Sequence, residues 1–391
     1  MKEHKEVAEN IQGFLESHHE RIIHFLKDLV SLESPSREIE RQHKILNFLK
    51  FKFEDIGYRV ILVPGKQTGG YLYACPKERD RSLPLQLLIG HCDTVWPAET
   101  IKIMPISYKK GVIKGPGVYD MKAGLTQMYF ALLCIRSISV PLPVTPVILI
   151  NSDEEIGSRE STNSIKRLAK ISNRAYVLEP PLGLEGKLKT ARKGLGRFTL
   201  TVTGKAAHAG LDPEKGINAI VELSQQVQKL YAMNDFDRGI TVNVGMIEGG
   251  ISPNVVAPKS KAVIDVRVLN EADGIFITNK IKGLKPFLPN VTLAIEGSIG
   301  RPPMERTKRN QKLWQLAEEH GRKLGLSLEQ ATAGGGSDAN TTSIYTATLD
   351  GLGTPGDGAH APHEYIFENK LIERTTLLTL LLLSEPLNSK S

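Results

Sequence analysis

The chain has little cysteine, few aromatic residues and no long apolar run, and each shortage closes a line of explanation. Three cysteines in 391 residues, Cys75, Cys92 and Cys134, form no CxxC pair and cannot all be bridged to one another. A disulfide scaffold is therefore excluded, and the thiols read as reduced and mostly buried. Aromatic residues make up 6%, and the densest basic run, Arg306 to Lys312, has none. The formal charge of +7 thus reads as a solvated face, and no nucleic-acid partner is expected. The most apolar tail segment, Leu377 to Leu383, is far shorter than the ~20 residues of a membrane span. It reads as a buried closing helix, with no membrane partner expected. The opening MKEHKEVAENIQGFLESHHE is charged and amphipathic and lacks the apolar stretch of a signal peptide, which points to a cytoplasmic protein. There are no internal repeats and no low-complexity tracts.

What is present is enough for two ordinary domains: the length exceeds one core, and 40% apolar with 24% charged residues allows burial under a hydrated surface. Residues 7–30 place Val7, Ile11, Phe14, Ile22, Phe25, Leu26, Leu29 and Val30 at mostly three- and four-residue steps, predicting an opening helix or helix pair. Short apolar runs at Leu85–Ile89 and Val147–Ile150 read as strands separated by a helix over Ala123–Cys134, which is an α/β pattern. From Gly194 to about Gly300 the texture changes. Alternating strands at Arg197–Thr203 and Ala262–Val268 flank a helix over Ile217–Leu230, the mark of an inserted α+β domain. The expected division is 1–193, 194–300 and 301–391, the first and last forming one α/β domain.

Both apolar runs end in polar bursts, Gly90-His91-Cys92-Asp93-Thr94 and Asn151-Ser152-Asp153-Glu154-Glu155. Ligands of open α/β sheets bind beyond the carboxyl ends of strands, so the site is expected there. Adding Asp120, Glu179 and His360 gives imidazoles and carboxylates of the kind a co-catalytic zinc pair needs. Asp93, two residues after His91, is placed to hold the imidazole in one tautomer. Glu154 and Glu155, on an extended segment, would point in opposite directions, letting one bind metal while the other stays free as a base. A glycine triplet at Gly334–Gly336 invites comparison with a phosphate cradle, but no Gly-Lys-Ser/Thr follows, so nucleotide binding is disfavoured.

These motifs, in this order, resemble the metallopeptidases that include glutamate carboxypeptidase (carboxypeptidase G), acetylornithine deacetylase, succinyl-diaminopimelate desuccinylase and aminoacylase. The resemblance rests on Gly90-His-Cys-Asp-Thr-Val95, Gly115-Pro-Gly-Val-Tyr-Asp-Met-Lys-Ala-Gly124, Asp153-Glu-Glu-Ile-Gly157, Glu179-Pro180, Gly204-Lys-Ala-Ala-His-Ala-Gly210 and Gly358-Ala-His360. It implies a zinc-peptidase-like α/β catalytic domain with an inserted dimerisation (lid) domain, and a homodimer. It further implies two Zn2+ per subunit, with Co2+ or Mn2+ as alternatives. His91 and Glu179 would ligate one ion, Glu155 and His360 the other, with Asp120 as the bridge; His363 is the alternative to His360. Glu154 would be the general base, and His208 would act on the partner's site. Asn254 and Arg267 would recognise a substrate carboxylate, for which a guanidinium fork is suited; Lys187, Arg301 and the Gly334–Asp338 loop match the glutamate carboxypeptidase branch. The implied reaction is cleavage of an amide bond beside a free carboxylate in a small peptide or N-acyl amino acid. An N-acyl-amino-acid deacylase is the alternative, and the intact ligand set argues against a non-catalytic binding protein on the same scaffold.

Overall fold

A computed structural model describes residues 2–387, with side chains from residue 6 onward. Contacts divide the chain into two compact units, one of Met1–Thr190, Arg306–Thr332 and Ser337–Ser391, the other of Ala191–Glu305 and Ala333–Gly336. The second unit thus starts at Ala191 rather than Gly194 and ends at Glu305 rather than Gly300, which falls inside the strand Thr292–Arg301. It also takes back four residues, Ala333–Gly336, that no change of composition marks.

The first unit is built on a six-stranded sheet in the order Tyr58–Val63, Tyr71–Pro76, Thr145–Asn151, Leu85–His91, Ser172–Val177, Ala347–Leu349. The last four strands run parallel, and the first two add antiparallel at one side. Thr145–Asn151 is buried along its whole length, as expected of a strand covered on both faces. From Leu85–His91 the chain moves to the neighbour on one side, Thr145–Asn151, then crosses to the neighbour on the other, Ser172–Val177. The carboxyl end of Leu85–His91 is therefore a topological switch point, where a crevice opens between diverging loops.

The expected central helix is Ala123–Ile138, buried almost all round because it packs between the sheet and the helices Lys2–Ser17, His19–Ser31 and Glu368–Leu382. Its start lies so close to the sheet that a Cβ on Gly124 would meet the Leu178 carbonyl oxygen at 2.2 Å. The opening pair and the closing helix lie where the apolar patterns put them, the latter beginning nine residues ahead of its apolar core at Glu368. No helix among the described residues is long and apolar enough to cross a membrane.

The second unit is a four-stranded antiparallel sheet in the order Thr241–Gly249, Lys259–Val268, Gly194–Thr203, Thr292–Arg301. Strand alternation sends Phe198, Leu200, Val202, Ile264 and Val266 into a core closed by the helices Ala219–Tyr231 and Glu271–Lys282. Asn218 caps the first of these, its side chain accepting from the Ile220 and Val221 amides.

Candidate metal centre

Five side chains of the first unit converge beyond the carboxyl ends of its parallel strands. His91 is the last residue of its strand, and Glu179 follows Ser172–Val177. Asp120 lies in the turn Val118–Lys122, Glu155 in the turn Glu154–Ile156, and His360 between the short strands Gly356–Asp357 and Tyr365–Phe367. His91 Nε2 stands 3.2 Å from Asp120 Oδ1 and 3.5 Å from Glu179 Oε1. His360 Nε2 stands 3.1 Å from Glu155 Oε2 and 3.5 Å from Asp120 Oδ2. Two trios result, His91–Asp120–Glu179 and Asp120–Glu155–His360, each with its donor atoms within 4.8 Å of one another. Asp120 offers one oxygen to each trio. Imidazole nitrogen with carboxylate oxygen is a donor set that fits a pair of zinc-class ions.

Electrostatics agree with a cation site that protons can also fill. Hydrogen bonds to Asp120 and Glu155 push the His360 imidazole up to about 10. Burial opposes charge on His91, yet hydrogen bonds to Asp120, Asp93 and Glu179 raise it well above the ordinary histidine value. Burial likewise lifts Glu155 to about 7, while Asp120, although buried, is held below the usual carboxylate range by His360 and His91. His360 adopts a left-handed backbone, φ 61°.

The surrounding bonds differ in detail from the expected ones. The tightest contact of His91 Nδ1 is the Asp93 carbonyl oxygen at 3.0 Å; the Asp93 carboxylate is 3.5 Å away. That carboxylate instead accepts the Glu154 and Glu155 amides, each at 3.2 Å, and the Ser36 hydroxyl at 2.7 Å. Glu154 and Glu155 therefore do not lie on an extended segment but in a short 3₁₀ turn, where successive side chains still diverge by about 120°. Glu155 joins a trio; Glu154 belongs to neither trio found among the described residues. His363 is exposed, 3.9 Å from Asp357, and is in neither trio.

None of the remaining candidates belongs to either trio. On the second unit, His208 is exposed and its Nδ1 accepts the Gly210 and Leu211 amides, so the neutral ring carries its proton on Nε2. Asn254 is its neighbour through the Ala209 amide to Asn254 carbonyl bond, and its side-chain oxygen accepts from Ser252. Arg267 is already engaged by Asp265, Nε to Oδ1 at 2.7 Å and Nη2 to Oδ2 at 3.2 Å, and by the Gly334 carbonyl at 3.3 Å. A guanidinium has five N–H groups, so two remain for a ligand. Arg267 and Arg301 are both in register with Leu195, flanking one position of the central strand. Lys187, on the first unit, pairs with Glu329 at 2.7 Å.

Two buried carboxylates contribute more than their sequence context signals. Glu364 accepts four hydrogen bonds around the Asp120 turn. Asp338 accepts from Asn151 at 2.8 Å and from Ser158 at 2.5 Å, fastening the end of the strand that leads to Glu155. The sequence around Glu364 and Asp338 does not mark either carboxylate as buried.

A peptidase dimerisation domain model matches residues 190–284. Carboxypeptidase G2 of Pseudomonas sp. (strain RS-16) is 27% identical over 356 residues, covering 88% of this chain and 84% of that protein. Succinyl-diaminopimelate desuccinylase of Wolinella succinogenes is 26% identical over 309 residues, 75% of this chain and 83% of that protein. In fold, the chain is similar to aminopeptidase PepT from Bacillus cereus, with a TM-score of 0.80 at 24% identity over 93% of this chain and 98% of that one.

Proposed function

We propose that this chain, a member of the M20 peptidase family and a hydrolase, is a two-zinc carboxypeptidase that cleaves an amide bond beside a free carboxylate. The observation that carries this reading is the pair of trios sharing Asp120. His91 and Glu179 would hold one ion and Glu155 and His360 the other, with Asp120 offering an oxygen to each. The ions, when bound, supply Lewis-acid activation of water and of the scissile carbonyl. Glu154, beside the ligand Glu155 but outside the trios, takes the proton from the attacking water and returns it to the leaving amine. His208 donates from Nε2 to the developing oxyanion of the partner subunit's site. Arg267, with its two uncommitted N–H groups, and Asn254 orient the substrate carboxylate, and Arg301 adds positive charge in the same row. Lys187 is assigned to substrate through its resemblance to the carboxypeptidase branch, and would have to leave Glu329 to act.

The same chain is proposed to work as a homodimer. Besides the family domain, what supports this is a set of exposed apolar side chains on the second unit. Met246 and Ile247, on the edge strand Thr241–Gly249, are each 58% exposed, and the helix Ala219–Tyr231 presents Ile220, Val221 and Tyr231 to solvent. An uncovered apolar edge strand is a pairing surface.

The test is metal analysis of active protein, combined with hydrolysis of dipeptides, N-acyl amino acids, and benzoyl- or folyl-glutamates. Two equivalents of metal, activity lost to a chelator, and cleavage only where a free carboxylate adjoins the amide are expected. Preference for small N-acyl groups over peptides would move the assignment to a deacylase. Full activity without stoichiometric metal would refute both readings.

A further inference from the structure

We infer that Glu364 is a positioning residue that sets the place of Asp120 relative to His360, and through it the geometry of both metal sites. The inference rests on the reading that Asp120 and His360 are metal ligands. The Glu364 side chain is wholly buried. Its Oε2 accepts the Trp96 indole N–H at 2.8 Å and the Gly117 amide at 2.8 Å; its Oε1 accepts the Tyr119 amide at 2.9 Å and the Asp120 amide at 3.0 Å. A carboxylate has about four lone-pair positions, and here four donors fill them. Three of these donors are main-chain amides, of Tyr119 and Asp120 in the turn that carries the shared ligand and of Gly117 just before it.

The main chain of Glu364 is tied into the loop that carries His360. The Glu364 amide donates to the Ala361 carbonyl at 3.0 Å, closing the loop that follows His360. Gly358, at φ 85°, approaches so closely that a Cβ there would lie 2.9 Å from both the amide nitrogen and Cα of Glu364. The next residue, Tyr365, pairs with Lys114 at the entrance to the Asp120 segment. One side chain thus joins two segments that are distant in sequence and that each bring a ligand to the same trio. A buried cap that served folding alone has no need to receive the amide of the bridging ligand itself. Groups that orient metal ligands typically change affinity or activity by roughly 10–100-fold when lost.

The experiment compares wild type, Glu364→Gln and Glu364→Asp in metal-free form, each titrated with Co2+. The visible absorption band reports ligand geometry, thermal melting reports the fold, and kcat and KM are measured after loading. Glutamine keeps the shape but turns an NH2 group toward two N–H donors. Aspartate keeps the charge and withdraws it by about 1.5 Å, one carbon–carbon bond. The expected result is a folded variant with Co2+ affinity lowered roughly 10–100-fold, a shifted band, and a fall in kcat with KM little changed. If Glu364→Gln does not fold, Glu364→Asp carries the test by the same readouts. Wild-type Co2+ affinity and band shape in a folded variant would overturn the positioning role. A wild-type protein that takes up no Co2+ would instead remove the two-metal reading on which the inference stands.

Discussion

Replacing Asp93 by asparagine deletes one charge and one acceptor at the point where the His91 and Glu154–Glu155 segments meet. The carboxylate is fully buried. Its Oδ1 holds the Glu154 amide, and its Oδ2 holds both the Glu155 amide and the Ser36 hydroxyl. An amide has a single oxygen, so one side must turn NH2 toward an N–H. Turning it toward the Oδ2 position disturbs two bonds; turning it toward Oδ1 disturbs one, so the second orientation wins and orphans the Glu154 amide. A buried unsatisfied donor costs about 1–3 kcal/mol, and the two surviving bonds each lose about 1 kcal/mol of charge assistance. The sum, about 3–5 kcal/mol, corresponds to a melting decrease of roughly 5–9 °C for a unit of this size. Because the orphaned amide belongs to Glu154, turnover is expected to fall more than metal content does. Calorimetry of metal-free Asp93→Asn with metal analysis of the loaded protein checks both. Melting within about 2 °C of wild type would show that these bonds do not carry the turn.

Mixing Glu154→Gln with His208→Ala under conditions that exchange subunits is expected to restore roughly a quarter of the sites, because half the dimers are mixed and each mixed dimer has one whole site. Verified exchange with no recovered activity would place His208 in its own chain's site or outside catalysis. For pH, His360 is held at about 10, above its ordinary value, so the metal-free protein keeps this proton at pH 8 and metal must displace it. Apparent metal affinity therefore rises about tenfold per pH unit for that proton up to about 10, and more steeply below about 7, where Glu155 is also protonated. Calorimetric titration in buffers of different ionisation enthalpy counts the protons, and release of none at pH 8 would contradict the assignment of His360.

His91 and Glu155 are legible as candidates because the apolar runs Leu85–Ile89 and Val147–Ile150 stop shortly before them, and such stops in an α/β sheet face the crevice, whereas Asp120, Glu179 and His360 are marked only by the motifs they stand in. The partners that shape them were less readable, for different reasons. Asp265 and Arg267 are two residues apart on one strand, so strand periodicity alone puts them on one face and makes their pairing legible. Glu364 left no comparable trace, since a glutamate in a turn has the composition of a surface residue and its burial comes from the distant Asp120 turn folding over it. The edge strand Tyr58–Val63 carries Arg59 within an apolar run and shows no regular alternation of burial, so neither strand template fits it well. The short strands Ser107–Lys109 and Val112–Lys114 are three residues each, below the length at which a period can be read.

The interrupted order of the first unit has a consequence in time. The second unit is nearly contiguous, Ala191–Glu305, and has its own core, so it can close soon after it is synthesised. The first unit must wait: its sixth strand, Ala347–Leu349, the candidate ligand His360 and the helix Glu368–Leu382 that covers the central helix all come after that insertion. At ~5–20 residues per second, the second half of the chain takes on the order of 10–40 s to emerge. During that interval the strand Ser172–Val177 is an open apolar edge and the acids of the metal cluster lack their last histidine. A nascent chain of this topology should therefore depend on holding chaperones late in synthesis, and should acquire its full complement of metal only after its end has been made.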